Sequence, residues 1–477
     1  MEPPSLFEVL QLTRDAGLVG EENTVLTVIL SFIRGHLVVM SGMSRAGKDA
    51  VVDAAEEAFP SSNMVYQWPA DDSETAAFYN RAEINQYPVH RFPDLARLPD
   101  HQERILKSFG EGRDATRQRT DIAAEKRGDD PVEDQVLSAP HTVIAFIASD
   151  NENINLNDYP ELRNRALIVS VDASEEQTHN VNRRKALEHA GLDERRISPI
   201  RKAQIQDYHA SIPVNEWVSA TGAKIVNPAA LEIHEQEPIP ELFPEARQDF
   251  DRLLEFMETV ALYHYAERPV FEQNGSRRML VAPRDVWEAM TVLGNKMVMS
   301  ALNLRKEDRA VLSLLRESKS NLSKAEIQQS LRTQGYNITD RDVRRSLDSM
   351  ASKGYVRIHQ GNPNEYSLNE FASVTKHDPG LNYADVVASA KETVYDIAPE
   401  DVADEYVDRF CRGDGLITTH PLTGEAVDIT EADELDEMID DGIEGVEEVF
   451  DEAMADVPTD ESEEEAPRSA ETQARLT

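Results

Sequence analysis

His36-Leu37-Val38-Val39-Met40-Ser41-Gly42-Met43-Ser44-Arg45-Ala46-Gly47-Lys48-Asp49 is the stretch on which the fold turns. Its first six residues read as a short buried strand that runs straight into a glycine loop. Residues 50–59 follow with Val51, Val52, Ala55 and Ala58 at helical spacing, and Pro60 ends them. Strand, glycine loop and helix are the context a phosphate loop requires. The loop fits G-x-x-x-x-G-K. Gly42 and Gly47 let backbone N–H groups converge on a β-phosphate, the helix adds its positive end, and Lys48 reaches the β- and γ-phosphates. The spacing therefore predicts that Gly42, Ser44, Arg45, Ala46, Gly47, Lys48 and Asp49 hold the phosphates of ATP, with Lys48 also serving the chemistry. The competing reading is a tight glycine loop with a solvent-exposed lysine.

Asp49 is the irregularity, because a Ser or Thr hydroxyl at this place ordinarily ligates Mg2+. A carboxylate can ligate the ion too, but it brings negative charge near the phosphates; Asp49 reads equally as the first-turn acid of a helix. A second acid is needed to hold magnesium and orient water. No apolar strand ends in Asp-Glu, and Asp94, after Val89-His90-Arg91-Phe92-Pro93, is the best placed, ahead of Glu83, Asp71 and Asp72. Asp94 could instead cap the helix that follows. Ser149-Asp150-Asn151 comes directly after the most apolar strand, 141–148, where Asn151 or Ser149 could sense a γ-phosphate; the same residues are ordinary in a turn.

Working outward, strands are expected at 64–67, 87–92, 141–148 and 166–171, with a helix at 101–109. Strands alternating with helices over 35–175 predict an α/β domain with a mostly parallel sheet. The first forty residues read as one or two helices, and 175–300 as mainly helical. In residues 307–370, helices at 308–317, 325–335 and 339–353 precede a strand pair at 356–359 and 365–367. The first of these joins carries the capping-box spacing Ser323-Lys324-Ala325-Glu326. Three helices and a β-wing are the order of a winged helix-turn-helix. Residues 303–358 hold 12 Lys or Arg against 7 Asp or Glu, about +5 in a chain of net charge −40. Arg341, Arg344 and Arg345 start the third helix, and Arg357 lies in the wing with Lys353 and His359 nearby, a set suited to DNA. Such a module can also serve protein contacts. A second basic stretch, 113–127, is either a contact to nucleic-acid phosphate or a mobile surface loop.

The expected organisation is a P-loop ATPase domain at 1–180, a helical lid at 181–302, the winged helix at 303–372, a small helical or partly ordered region at 373–430 and an acidic disordered tail at 431–477. Residues 431–465 contain 18 acids and no Lys or Arg, the pattern of a solvated tail. Acid is dense well before the tail, and only 13 of the 49 basic residues are lysine, with a mean hydropathy of −0.51. That is the surface expected of a salt-accumulating, haloarchaeal cell, where screening shrinks the self-repulsion. Cys411 is the one cysteine, which excludes intrachain disulfides and thiolate clusters. The histidines lack zinc-ligand spacing. The apolar run 24–33 is far shorter than a membrane span, and the chain opens without a signal peptide, so no membrane partner and a cytoplasmic location are expected.

The order of features resembles ring-forming AAA+ ATPases of the replicative type, especially the helicase parts of phage and plasmid primase-helicases and relatives of the minichromosome-maintenance helicase. The resemblance spans roughly 22–370 and rests on 39–49, 105–119 (ILKSFGEGRDATRQR), 160–178 (PELRNRALIVSVDASEEQT) and 261–269 (ALYHYAERP). It implies Lys48 on phosphate, Asp94 as the second magnesium acid, Asn151 or Ser149 as γ-phosphate sensor, and Arg163 or Arg165 acting in trans across a homo-oligomer such as a hexamer. As surface or salt-bridging residues the two arginines would be unremarkable. Asp49 and the missing Asp-Glu pair depart from the family pattern and leave open a weakened motor or a switch. No primase active site stands out. The favoured reading is a DNA-associated ATPase, a helicase or replication factor of a mobile element. The alternatives are a nucleotide kinase, which Gly47-Lys48-Asp49 tolerates, and a DNA-binding regulator whose nucleotide site does not hydrolyse.

Overall fold

In the computed structural model the chain enters through two helices, α1 (Leu6–Asp15) and α2 (Glu22–Arg34). A capping box starts α1: Ser5 Oγ accepts the Glu8 N–H at 3.2 Å, and Glu8 Oε2 accepts the Ser5 N–H at 3.0 Å. Residues 24–33 of α2 are buried without a break, the signature of a helix enclosed by the core rather than laid upon it. Gly35 ends α2 at φ +94°, donating its N–H to the Ser31 carbonyl. A Cβ there would run into the His141 carbonyl oxygen, so both handedness and space call for glycine.

The sheet follows. Its elements are β1 (Leu37–Gly42), α3 (Lys48–Glu56), β2 (Val65–Gln67), the short α4 (Glu74–Tyr79) and α5 (Arg81–Ile84), β3 (Val89–Asp94), α6 (Asp100–Gly110), β4 (Ala115–Thr120), β5 (Val132–Leu137), β6 (Thr142–Ala148) and β7 (Leu167–Ser170). Five strands lie in the order β2-β3-β6-β1-β7, every neighbour parallel. All seven residues of β6 are buried, as expected of a central strand covered on both faces. β1 runs beside β6 from Leu37↔Val143 to Gly42↔Ala148 and beside β7 from Val38↔Leu167 to Ser41↔Ser170. The next strand in sequence, β2, lies three places away, while β7 lies on the other side of β1. The strand order therefore switches at β1, and the crevice outside its carboxyl end is where open α/β sheets place ligands. β4 and β5 form a separate antiparallel pair between α6 and β6.

Beyond β7 the helices Glu175–Ala190, Pro199–Ser211, Ala246–Tyr263 and Pro283–Ala301 dominate. A small sheet that the sequence reading did not anticipate joins them: β8 (Ala223–Val226), β9 (Val270–Gln273) and β10 (Ser276–Leu280), in the order β8-β10-β9. Helices Lys306–Glu317, Lys324–Thr333 and Asp340–Ser352 then pack around Val311, Ile327, Leu331, Val343, Leu347 and Met350. They carry β11 (Leu322–Ser323), β12 (Val356–His359) and β13 (Glu365–Leu368), in the order β11-β13-β12. Residues 381–430 fold as well, into helices Tyr383–Ile397 and Glu400–Phe410 and the ribbon β14 (Ile417–Thr419)–β15 (Ala426–Asp428). They dock through Tyr406 Oη on the Val281 carbonyl (2.8 Å) and Thr418 Oγ1 on Glu288 Oε1 (2.8 Å).

The structure describes residues 3–43, 45–60, 64–70, 73–120, 132–148, 159, 162, 165–192, 196–218, 223–239, 246–301, 306–318, 320–333, 336, 338–352, 356–361, 363–368 and 381–431. The chain divides into two units, Met1–Thr430 and Glu431–Thr477. The expected acidic tail, residues 431–477, lies outside the described residues from 432 onward. No described helix is long and apolar enough to cross a membrane.

Candidate functional site

The loop 43–47 leaves the carboxyl end of β1 at the switch point of the sheet. Ala46 donates its N–H to the Met43 carbonyl at 3.2 Å, and the backbone turns through positive φ at Arg45 (+68°) and Gly47 (+93°). Gly47 is the N-cap of α3, and no side-chain cap hydrogen bond closes that end. A Cβ on Gly47 would meet nothing within 4 Å, so its φ rather than crowding selects glycine. Gly42 is the opposite case: a Cβ there would strike the Val171 side chain. Ser44 lies outside the described residues.

Lys48 places its ammonium at the ends of the two central strands. Nζ donates to the carbonyls of Gly42 (2.7 Å), Met43 (3.2 Å) and Ile147 (3.3 Å). The cation thus sits over the edge where β1 and β6 finish, beside the start of α3. The positive-φ turn, a helix N-terminus without a side-chain cap and the Lys48 ammonium are the kind of donor set a polyphosphate uses, and phosphate oxygens would replace the carbonyls that now hold Lys48.

Asp49 faces an arginine. Arg91 on β3 donates from Nη2 to Asp49 Oδ1 and from Nη1 to Asp53 Oδ1 at 2.7 Å, while its guanidinium lies 5.3 Å from the centre of the Phe146 ring. Its side chain is 8% exposed, against 74% for Asp49 and 65% for Asp53. Burial works against its charge, but the hydrogen bonds and charges of the two aspartates outweigh burial and hold its pKa above the usual arginine value. On the same helix, burial and the neighbouring Asp53 charge push the Glu56 carboxyl up to about 7. The sequence reading missed Arg91. The signal was a charged residue inside a buried strand, Val89-His90-Arg91-Phe92, which only a partner could stabilise.

Asp94 ends β3 next to Phe146 of β6, so the sheet brings it to the same edge as the loop. Its Oδ1 accepts the Ala96 N–H at 2.9 Å and caps the turn Leu95–Arg97. Asp49 thus shares the Arg91 guanidinium with Asp53 through one of its oxygens, and Asp94 uses one of its oxygens as a cap. Among the described residues no group of three His, Cys, Asp or Glu side chains is arranged to hold a metal ion. The loop is of the kind that suits phosphate, and a magnesium ion carried by a nucleotide needs only one or two protein oxygens, which Asp49 and Asp94 stand at this edge to offer.

Arg165 Nη1 pairs with Glu111 Oε1 at 3.3 Å, next to Arg113 on the other oxygen of the same carboxylate at 2.9 Å. Ser149, Asn151 and Arg163 lie outside the described residues. The basic stretch 113–127 enters the β4–β5 pair, where Arg117 Nη1 donates to Thr75 Oγ1 at 3.1 Å; residues 121–127 are outside the described set.

In the 306–368 module the expected capping box is present: Ser323 Oγ accepts the Glu326 N–H at 3.4 Å and Glu326 Oε2 accepts the Ser323 N–H at 2.8 Å. Thr339 and Asp342 repeat the arrangement at the next helix. On that helix Val343, Leu347 and Met350 face the core, while Arg341, Arg344 and Arg345 are exposed. Arg344 leans on Asp348 at 3.7 Å. Arg357 is exposed on the wing, and His359 Nε2 meets Ser367 Oγ at 2.8 Å across the strand pair.

Residues 309–365 match the family model of the ribonuclease R winged-helix domain. Among solved structures, the chain is similar to a protein from Cytophaga hutchinsonii described as an ATPase, at 14% identity over 65% of this chain and 93% of that one, with a TM-score of 0.37. No curated protein matches the chain.

Proposed function

We propose that the chain is a DNA-associated, AAA+-like P-loop ATPase in which residues 1–180 bind ATP, 181–302 form a helical lid and 303–372 engage DNA. The observation that carries this reading is the loop 43–47 at the carboxyl end of β1, with Lys48 over the strand edge and an uncapped helix start beside it. The strand order β2-β3-β6-β1-β7 supports it, because it puts that loop, Asp94 and the carboxyl end of β6 on one edge of the sheet. In this reading Lys48 and the backbone of 42–49 hold the triphosphate, Asp94 serves as the second magnesium acid, and Asn151 or Ser149 senses the γ-phosphate. Arg163 or Arg165 completes a neighbour's site in a homo-oligomer, for which a hexameric ring is the natural geometry. When ATP binds, its magnesium neutralises charge on the phosphates. The exposed stripe Arg341, Arg344 and Arg345 on the third helix, with Arg357 on the wing, supports docking of the winged helix on DNA phosphates and base edges.

A second reading is favoured by the engagement of Asp49 with Arg91 and of Asp94 with Ala96: a nucleotide-binding switch with little turnover. The ATPase rate of the full chain in molar KCl, with and without single- and double-stranded DNA, separates the two. DNA-stimulated release of phosphate that Lys48→Ala abolishes supports the motor, and tight ATP binding without turnover supports the switch. Absence of both ATP and DNA binding would end the proposal.

A further inference from the structure

α3 starts at the phosphate loop with Lys48 and ends at Glu56, nine residues and roughly 13 Å further on. At that far end lies a cavity of about 200 Å³ with Glu56, Phe59, Met64, Val65, Tyr87 and Gln206 in its wall. Drug-sized ligands fill about 300–1,000 Å³, and a dry cavity of about 150 Å³ holds a benzene ring, so the space suits a head group on a short stem.

The wall has two characters. Phe59, Met64, Val65 and Tyr87 give apolar and aromatic surface, with Phe59 set against Phe32 and His209 (ring centres 5.5 and 4.9 Å apart) and Tyr87 against Tyr66 (5.5 Å). Glu56 gives a half-buried carboxyl to which no described residue donates a hydrogen bond. The cations around it are engaged with other acids: Lys202, on the helix Pro199–Ser211, pairs with Glu57, and Arg91 holds Asp49 and Asp53. Burial, then the charge of Asp53, with Glu57 adding, push the Glu56 carboxyl up to about 7 against the weaker pull of Arg91. The carbonyl end of α3 adds potential of the same negative sign, although Gln206 Nε2 and His209 Nδ1 already meet the carbonyls of Glu57 (3.0 Å) and Ala58 (2.7 Å). An anion would be repelled here by Asp53, Glu56 and Glu57. A neutral apolar guest would bury the carboxyl further and compensate nothing. A cation with a short stem meets both requirements: its charge faces Glu56, and the rings and the Met64 thioether receive its body.

We propose that this cavity is a binding site for a small organic cation, an ammonium or guanidinium group on a short aliphatic stem, with Glu56 as its carboxylate partner. The cavity stands apart from the phosphate loop, and its reading does not depend on nucleotide binding there. The cation pairs with the ionised carboxyl, so binding should strengthen as pH rises through 7. The ionised fraction goes from about one-tenth at pH 6 to about nine-tenths at pH 8, while ammonium and guanidinium groups stay charged at both, which sets the expected gain at about tenfold.

The test is a saturation-transfer NMR titration of the full chain with agmatine, which carries an ammonium and a guanidinium on one aliphatic stem. Molar KCl screens the general attraction of a chain of net charge −40 for cations and leaves the built site. Agmatine is expected to bind about tenfold more tightly at pH 8 than at pH 6. Glu56→Gln, which keeps the shape of the wall, should weaken binding at pH 8 by about tenfold or more and abolish the pH dependence. Glu392→Gln, an exposed acid of the helix Tyr383–Ile397, should change the affinity by less than about twofold. Melting temperatures show that the variants are folded; should Glu56→Gln not fold, the pH 8 to pH 6 ratio of the natural chain decides by itself. No binding at pH 8, equal affinity at the two pH values, or the same loss from Glu392→Gln as from Glu56→Gln would each overturn the site.

Discussion

Asp285→Asn takes one charge and almost no volume out of the interior, and the structure allows its cost to be worked out. Arg268 donates from Nε to Asp285 Oδ2 at 2.8 Å and from Nη2 to Oδ1, and neither side chain has any exposure. The same Oδ2 accepts the Ala282 N–H at 2.8 Å, and the guanidinium lies 5.1 Å from the centre of the Phe410 ring. Burial works against both charges, yet each holds the other ionised: Arg268 stays above and Asp285 below its usual pKa. With asparagine the cation remains, buried and facing a neutral amide. Removing one partner of such a pair costs about 3–5 kcal/mol. Glu267, 3.6 Å from Arg268, and the retained amide oxygen place the expectation near the lower end, about 3 kcal/mol. That is a large share of the roughly 5–15 kcal/mol by which domains are stable. Guanidinium-chloride unfolding followed by circular dichroism at pH 7 measures it, and limited proteolysis should show the helix Glu400–Phe410 released first, because it packs on Arg268 through Phe410. The pair Arg268→Met with Asp285→Leu removes both charges and should recover most of the loss. A loss under about 1 kcal/mol for Asp285→Asn would refute the reasoning, as would a double variant no more stable than the single one.

Burial pushes His36 down to about 3 and His90, His209 and His420 down to about 4, from 6.5. The unfolded chain therefore takes up protons first as pH falls. The stability these rings contribute is complete above pH 6.5 and is lost on the way down to pH 4, and to pH 3 for His36. The melting temperature should drop steadily across that window, and a flat profile between pH 7 and pH 4 would contradict it. Gly35→Ala forces a side chain into the left-handed region and against the His141 carbonyl, which should cost at least about 1 kcal/mol in chemical denaturation, with no loss as the contrary outcome. Arg344→Ala should weaken DNA binding and lower the slope of log affinity against log salt by about 1, and an unchanged slope would remove that arginine from the interface.

Much of the architecture is local and was legible in the residues. β1, the glycine loop and α3 follow from the apolar run, Gly42 and Gly47, and β6 from its unbroken hydrophobicity. The boundaries of the 306–368 module were set by its capping residues, of which Ser323 was readable directly and Thr339 pairs with Asp342 in the same way. The β8–β10 sheet was missed, although Asn274-Gly275 stands between β9 and β10 with φ +54° and +74°, the turn that an Asn-Gly hairpin signal announces. Four- and five-residue strands carrying Arg277 and Arg278 give little periodicity to set beside that signal. Residues 381–430 looked weak because their helices are rich in acid. Their order comes from docking, through Tyr406 on Val281 and Thr418 on Glu288, 125 and 130 residues earlier. Of the site, the loop and Asp94 could be named from spacing, whereas the Arg91 clamp joins residues 42 positions apart and needs the register of β3 against α3 to be seen.

The most direct test of the central claim is ATP binding by the full chain and by Lys48→Ala, measured by calorimetry in molar KCl with folding checked by melting temperature. The account predicts one ATP per chain for the natural sequence and affinity reduced by about tenfold or more in the variant. Equal affinities, or ATP binding by neither, would contradict it.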